Sequence, residues 1–230
     1  MGKLFIVPTP VGNLEDITLR ALRVLREADS ILAEDTRVTK KLLMHYDIDK
    51  PIFPYHQYNE HRQLQKYIQQ IERQAATALV SDAGTPAVSD PGFLLVRACI
   101  ENNIEVECLP GATAFVPALV NSGFPCDRFY FYGFLPHKKG RKTAIERLSN
   151  MEETVILYES PFRLLKTLEQ FNEVLTGDRL VCVCRELTKI YEETVRGTVE
   201  EVIAYFSQKP VKGEIVLLIQ GKDHKPQNNC

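Results

Sequence analysis

The sequence holds no C-x-x-C pair, no apolar run approaching about 18 residues and no excess of positive charge, and each absence closes off a class of protein. Six cysteines, at 99, 108, 126, 182, 184 and 230, and five histidines complete no zinc pattern, so no structural metal is expected. Free thiols suit a reducing cytoplasm. Without a charged segment leading into a long apolar one, the N-terminus does not resemble a signal peptide, and Ile6 stands where myristoylation after Met1-Gly2 wants Ser or Thr. The expectation is a soluble, unanchored, cytoplasmic protein. With 28 basic and 30 acidic residues the net charge is only −2, so any nucleic-acid contact has to be local. Neither G-x-G-x-x-G nor G-x-x-x-x-G-K-[ST] occurs, which removes the common dinucleotide and P-loop readings.

What is present is a pair of shaped loops. The apolar run Ala78-Leu79-Val80 leads into Ser81-Asp82-Ala83-Gly84-Thr85-Pro86-Ala87-Val88-Ser89-Asp90-Pro91-Gly92. Connections in α/β units ordinarily take about two to six residues, and twelve residues punctuated by two prolines and two glycines read as a loop held around a ligand. Leu4–Val7 likewise runs into Pro8-Thr9-Pro10-Val11-Gly12-Asn13-Leu14. Two such loops at strand ends point to one cleft outside the carboxyl edge of a parallel sheet.

Strands alternate with helices over residues 1–121: Leu4–Val7, Ser30–Ala33, Ile52–Tyr55, Thr77–Val80 and Ile104–Leu109 against helical segments near Thr18–Ala28, Arg37–Tyr46, Glu60–Gln74 and Phe93–Asn102, with Ala112–Ser122 closing the unit. This pattern means parallel strands and crossover helices. The turn residues Asn121–Cys126 mark a hinge. In the second domain, 122–221, strands Phe129–Tyr132, Thr154–Tyr158, Leu180–Cys184, Glu193–Gly197 and Glu214–Ile219 combine with helices near Thr143–Asn150, Arg163–Phe171 and Val199–Phe206. Adjacent strands with no helix between them imply a mixed sheet, and residues 222–230 read as a flexible polar tail. Thr198 and Glu201 have capping-box spacing. Cys182 and Cys184 share one face of their strand.

Several side chains carry two readings each. Asp82 either binds polar groups of a ligand or caps its own turn through the Gly84 and Thr85 amides. Pro110-Gly111-Ala112-Thr113-Ala114 is either a small-residue approach for an adenosine-like group or an ordinary helix entry. Glu34-Asp35-Thr36-Arg37 puts two acids and a guanidinium at a strand-to-helix junction, where the helix dipole favours acids in any case. Arg185, Glu186 and Lys189 are a surface ion pair or a cleft cluster. Lys138, Lys139, Arg141 and Lys142 form a dense basic run beside Tyr130–Phe134. The run is either an ordinary solvated helix start or, since cations there oppose the dipole, an RNA backbone contact, and strand alternation makes some of the neighbouring aromatics core instead of stacking platforms. His56 and His61 read as polar loop residues.

Taken with Gly133-Phe134-Leu135-Pro136, Tyr158-Glu159-Ser160-Pro161-Phe162-Arg163 and Arg185-Glu186-Leu187-Thr188-Lys189, the loop motifs resemble the ribosomal RNA small subunit methyltransferase I family over roughly residues 3–220. That family belongs to the tetrapyrrole-methylase-like, class III, S-adenosylmethionine enzymes. The resemblance implies a two-domain α/β fold with S-adenosylmethionine bound between the domains, a homodimer, and methylation of a cytidine ribose 2′-hydroxyl in small-subunit ribosomal RNA. It directs cofactor contact to Pro10, Val11, Gly12, Asp82, Gly84, Thr85, Pro86, Thr113, Ala114, Tyr158 and Glu159. RNA contact falls to Arg37, Lys138, Lys139, Arg141, Lys142, Arg163 and Arg185. Glu34, Asp35, Glu186 and Lys189 are the catalytic candidates, with Glu159 also able to accept a proton, and the residues do not choose among them. Two other functions stay open at this point: methylation of a tetrapyrrole or other small molecule on the same fold, and a non-catalytic nucleotide-sensing module.

Overall fold

The period-2 alternation along each short strand decides which helix covers which face. A computed structural model describes residues 2–56, 60–175 and 179–222, and the chain divides into two compact units, Met1–Thr113 and Ala114–Cys230. In the first, β1 (Lys3–Ile6), β2 (Ser30–Ala33), β3 (Ile52–Pro54), β4 (Ala76–Val80) and β5 (Glu105–Cys108) form a parallel sheet in the order β3-β2-β4-β1-β5. Helices α1 (Leu19–Glu27) and α2 (Thr36–His45) cover one face, where Val24, Leu25 and Leu43 meet Ile31, Ala33, Ala78 and Val80. On the other face α3 (Glu60–Arg73) and α4 (Phe93–Glu101) bring Tyr67, Ile71, Leu95 and Cys99 against Leu4, Ile6, Leu32 and Leu79. The chain therefore leaves β1 over one face and β4 over the other. Since β1 and β4 are neighbours, a crevice opens between their carboxyl ends, the topological switch point at which open α/β sheets bind ligands.

The second unit is a mixed sheet of β6 (Phe129–Phe134), β7 (Thr154–Glu159), β8 (Leu180–Arg185), β9 (Glu193–Thr198) and β10 (Ile215–Ile219), ordered β6-β7-β10-β8-β9. The β6–β7 pair is parallel and the other pairs antiparallel. Helices α6 (Arg141–Ser149), α7 (Leu164–Asn172) and α8 (Val199–Phe206) pack Leu148, Leu168, Phe171, Val202 and Phe206 on one face. Helix α5 (Phe115–Ser122) packs Ala118 and Leu119 on the other, against Ile156, Cys182, Cys184 and Leu218.

The position of α5 corrects the expected division at 121/122, since this helix opens the second unit instead of closing the first. The turn residues after it punctuate a helix end: Gly123, at φ +71°, is a left-handed C-cap. The Thr198–Glu201 capping box forms, and the thiols of Cys182 and Cys184 lie buried 3.9 Å apart on the α5 face. Of the expected tail, Lys222 is anchored by its amide to the Met151 carbonyl at 2.8 Å; residues 223–230, like the His61 side chain, lie outside the described residues.

Candidate active site

Three loops at the carboxyl edge of the first sheet are fastened to one another. Thr9 and Gly84 exchange two backbone hydrogen bonds of 2.9 Å each, which ties the loop after β1 to the loop after β4 across the crevice. The Thr9 hydroxyl donates to the Ser81 carbonyl at 3.0 Å, and the Thr85 hydroxyl to that of Ala112 at 3.1 Å, drawing in the loop after β5. Gly111 lets that loop approach: a Cβ there would lie 2.6 Å from Cβ of Pro8. Gly84 sits at φ +77° with Val11 as the nearest side chain, and Ala87 and Ser89 also take positive φ, a held conformation that a loose linker would not retain. Pro10, Val11, Gly12, Asp82, Gly84, Thr85 and Pro86 thus share one framework. Thr113 ends the first unit, while Ala114 starts the second as the N-cap of α5.

Beside this framework lies a cavity of about 240 Å³ lined by Glu34, Ser89, Asp90, Pro91, Gly92, Phe93 and Leu94. The carboxylates around it differ in kind. Asp35 caps α2, accepting from the Arg37 amide at 2.8 Å and from its guanidinium at 2.6 Å, and these bonds hold it down at about 2. Asp82 neither caps its own turn nor stands free, because its Oδ1 accepts the Asp35 amide at 3.0 Å. Partial desolvation raises its pKa. Glu34 is partly buried and makes no ion pair among the described residues; its Oε2 accepts the Asp82 amide at 3.4 Å. Burial is the first cause that moves its pKa above the ordinary 4.5, outweighing that amide. A carboxylate with a raised pKa next to a cavity is a poised proton acceptor, whereas Asp35 is not.

In the second unit the structure takes several expected ligand contacts inward. Glu159 is buried, with Oε1 accepting from the Ser160 amide at 2.7 Å and from Arg163 at 2.9 Å, and Oε2 from the Thr167 hydroxyl at 2.6 Å. Its acceptor positions are filled from inside the protein, and this corrects its assignment to a cofactor. Arg141 is likewise corrected as an RNA contact. Its side chain is 8% exposed, 3.6 Å from Glu159, and it donates to Gln170, Thr167 and the Pro136 carbonyl. Arg185 pairs with Glu193 and donates to the Lys212 and Tyr191 carbonyls, a structural role. The Tyr158 ring packs on those of Phe131 and Phe134, with centroids 5.1 and 5.7 Å away. Lys138, Lys139 and Lys142 stay exposed.

Glu186 and Lys189 come together: Lys189 donates to Glu186 and to Glu214, both at 2.9 Å, and the Glu214 amide donates to Glu186 at 2.9 Å. Burial pushes the Glu186 carboxyl up, but Lys189 and that amide prevail and its pKa falls. Glu186 takes φ +53°, and Gly213 at φ +91° leaves room for its carboxyl, into which a Cβ at 213 would run. Glu214 and Gly213 were not legible as partners, because the sheet pairing of β8 with β10 is what brings them here. Thr9 was missed as the lock of the loops, although its place between two prolines was the available signal.

Residues 3–203 match the family described as Tetrapyrrole (Corrin/Porphyrin) Methylases, which is the class that this fold and sheet edge define. Among solved structures, a uroporphyrin-III C-methyltransferase from Thermus thermophilus, complexed with S-adenosylhomocysteine, aligns with a TM-score of 0.65 at 19% identity, over 94% of this chain and 97% of that one. A Halalkalibacterium halodurans relative, ribosomal RNA small subunit methyltransferase I, is 48% identical over 97% of this chain and 78% of its own length. The Thermotoga maritima protein of the same name is 45% identical over 97% of this chain and 100% of its own. The chain belongs to the ribosomal RNA small subunit methyltransferase I family and is a methyltransferase.

Proposed function

We propose that this methyltransferase transfers the methyl group of S-adenosylmethionine to the ribose 2′-hydroxyl of a cytidine in small-subunit ribosomal RNA. The observation that carries the proposal is the Thr9–Gly84 lock across the switch point, which holds three small-residue loops where an open α/β sheet takes a nucleotide-like ligand. The residues present fit an adenosine bearing a sulfonium. Gly84 and Gly111 bring backbone close, the loops carry small side chains, and Asp82 offers negative charge nearby. Pro10, Val11, Gly12, Gly84, Thr85 and Thr113 are the proposed cofactor contacts. When bound, that group supplies an already activated methyl.

Little acid–base work then falls to the protein, and positioning of reacting atoms about 3–3.5 Å apart dominates. Glu34 takes the hydroxyl proton, since among the candidates its carboxylate is the one with a raised pKa beside a cavity. Glu186 and Lys189, fixed by Glu214, position the acceptor. Lys138, Lys139 and Lys142 meet its phosphates. Acting on ribosomal RNA makes the cytoplasm the compartment of work, in keeping with buried, unbridged Cys99, Cys182 and Cys184. The working unit is a homodimer, which sedimentation checks. Incubation with labelled S-adenosylmethionine and either small subunits or uroporphyrinogen tests the acceptor: label in the RNA supports the reading, and label in the tetrapyrrole alone replaces it.

A further inference from the structure

A cluster at one end of the second sheet joins exposed aromatic rings to cations. Strands β6 and β7 run parallel, so the loops that follow them emerge at the same edge. The loop after β7 presents Phe162, which is 95% exposed and makes no part of the core. The end of β6 presents Phe134, 52% exposed, with its ring 5.7 Å from that of Tyr158. A large ring left almost wholly in water gives up the stabilisation of burial, and at the same edge Phe134 keeps half its surface exposed although its ring packs on Tyr158.

Charge gathers at that edge. Lys138 and Lys139 follow Phe134 in the same loop and are exposed. Arg163, next to Phe162, spends one Nη on Glu159 and sets the other 3.0 Å from Nδ1 of His137. A guanidinium can only donate, so Nδ1 of His137 accepts and holds Arg163 in place beside the two lysines. The chain as a whole carries a net charge of −2, so this concentration of cations at the edge that carries Phe134 and Phe162 is a local property.

We propose that Phe162 and Phe134, flanked by Lys138, Lys139, His137 and Arg163, form a stacking platform for unpaired bases of the RNA acceptor, with the cations on the adjoining phosphates. The inference rests on the ribosomal RNA reading and narrows it: the segment engaged is single-stranded, because the flat faces of bases are available to a protein ring only where they are unstacked. Aromatic residues supply affinity that salt does not screen, and lysines supply the part that it does.

The test uses the full chain and a fluorescein-labelled, unstructured RNA of roughly twelve nucleotides, inside the usual span of single-strand sites. A duplex of the same length is the comparison, and affinity is read by anisotropy across a salt series. Phe162→Ala removes no core contact and is expected to weaken single-strand binding by at least about fivefold, the lower end of a lost stack, with the slope of log affinity against log salt unaltered and duplex binding little changed. The double variant Lys138→Gln/Lys139→Gln is expected to lower that slope by about 1.4, or about 0.7 for each phosphate contact on a single strand. In methyl transfer to small subunits, Phe162→Ala should raise KM with kcat kept. Unchanged single-strand affinity in Phe162→Ala overturns the platform, as does equal weakening on the duplex, or a wild-type dimer that Phe162→Ala converts to monomer. If wild type methylates subunits while the variant binds normally, the platform fails and the acceptor reading stands. If wild type binds the oligonucleotide through Phe162 yet methylates no ribosomal RNA, the acceptor reading fails and the platform stands.

Discussion

Arg141 places its Nη2 3.6 Å from Oε2 of Glu159 in the interior of the second unit, the two side chains being 8% and 1% exposed. The same guanidinium donates to the Thr167 hydroxyl at 2.6 Å, which in turn donates to Glu159. A motif glutamate and a residue of the basic run therefore serve each other.

Breaking that pair leaves a buried carboxylate short of a partner. Arg141→Met should cost about 3 kcal/mol, the low end for a broken buried pair because Arg163 and the Ser160 amide still reach Glu159. The exposed Lys138, Lys139 and Lys142, all changed to Gln, should cost less than about 1 kcal/mol. Urea unfolding of the two variants separates them, and equal losses would refute the division.

Glu34→Gln addresses the proton acceptor. Turnover on RNA should fall by roughly a hundredfold or more, the usual contribution of a positioned base. In the wild type, kcat/KM should drop as pH falls through a midpoint above the ordinary glutamate value of 4.5, since the carboxylate must be ionised and burial has raised its pKa. The variant should lack that limb. A raised folded-state pKa stabilises the fold below the unfolded value, an advantage lost as pH rises through the folded one, so at neutral pH Glu34→Gln should melt no lower than wild type. A pH–rate profile that keeps its acid limb in the variant moves the base elsewhere.

Gly84→Val puts a β-branched residue at φ +77°, against Val11 and the Thr9 lock. The loop relieves that strain by leaving its conformation, so S-adenosylmethionine affinity, read by calorimetry, should fall roughly five- to thirtyfold, the equilibrium equivalent of the ~1–2 kcal/mol that left-handed backbone costs. Gly123→Ala meets comparable backbone strain at φ +71° with no atom within 4 Å and should bind the cofactor normally. Equal binding in both variants would detach the loop after β4 from the cofactor.

For Glu186→Gln the expected pattern is a several-fold loss of turnover with unchanged cofactor affinity, and an acid limb still set by Glu34. The lowered carboxyl pKa marks a group kept charged by Lys189 and the Glu214 amide, and such a group positions a neighbour better than it takes a proton. Its stability contribution is present above the unfolded carboxylate value and is lost as pH falls through the depressed one. Normal turnover in the variant would assign the triad to folding alone.

Local patterning made most of the fold legible. Ser30–Ala33 and Val199–Phe206 form over the residues that their runs and cap indicate, because short-range alternation and capping decide them. The loops after β1 and β4 were legible for the same reason, as Gly and Pro act on their own backbone. Partners far apart in the chain were not. Arg141 stands among three exposed lysines and turns inward only because Glu159, Thr167 and Gln170 wait there. Asp82 reads as a turn residue until the β2–β4 pairing sets it beside the Asp35 amide. The boundary after Thr113 was missed because α5 suits either unit by composition, and its burial against Cys182 and Leu218 is a tertiary outcome.

The central claim is the acceptor atom. Small subunits labelled from methyl-tritiated S-adenosylmethionine by the purified protein should be stripped to RNA and hydrolysed with alkali, which needs a free 2′-hydroxyl at each cleaved linkage. A ribose 2′-O-methyl group blocks its own linkage, so the account predicts tritium in an alkali-resistant dinucleotide whose 5′ nucleoside is cytidine. Tritium in single nucleotides, which would mean a methylated base, or in a resistant dinucleotide led by another nucleoside, would contradict it.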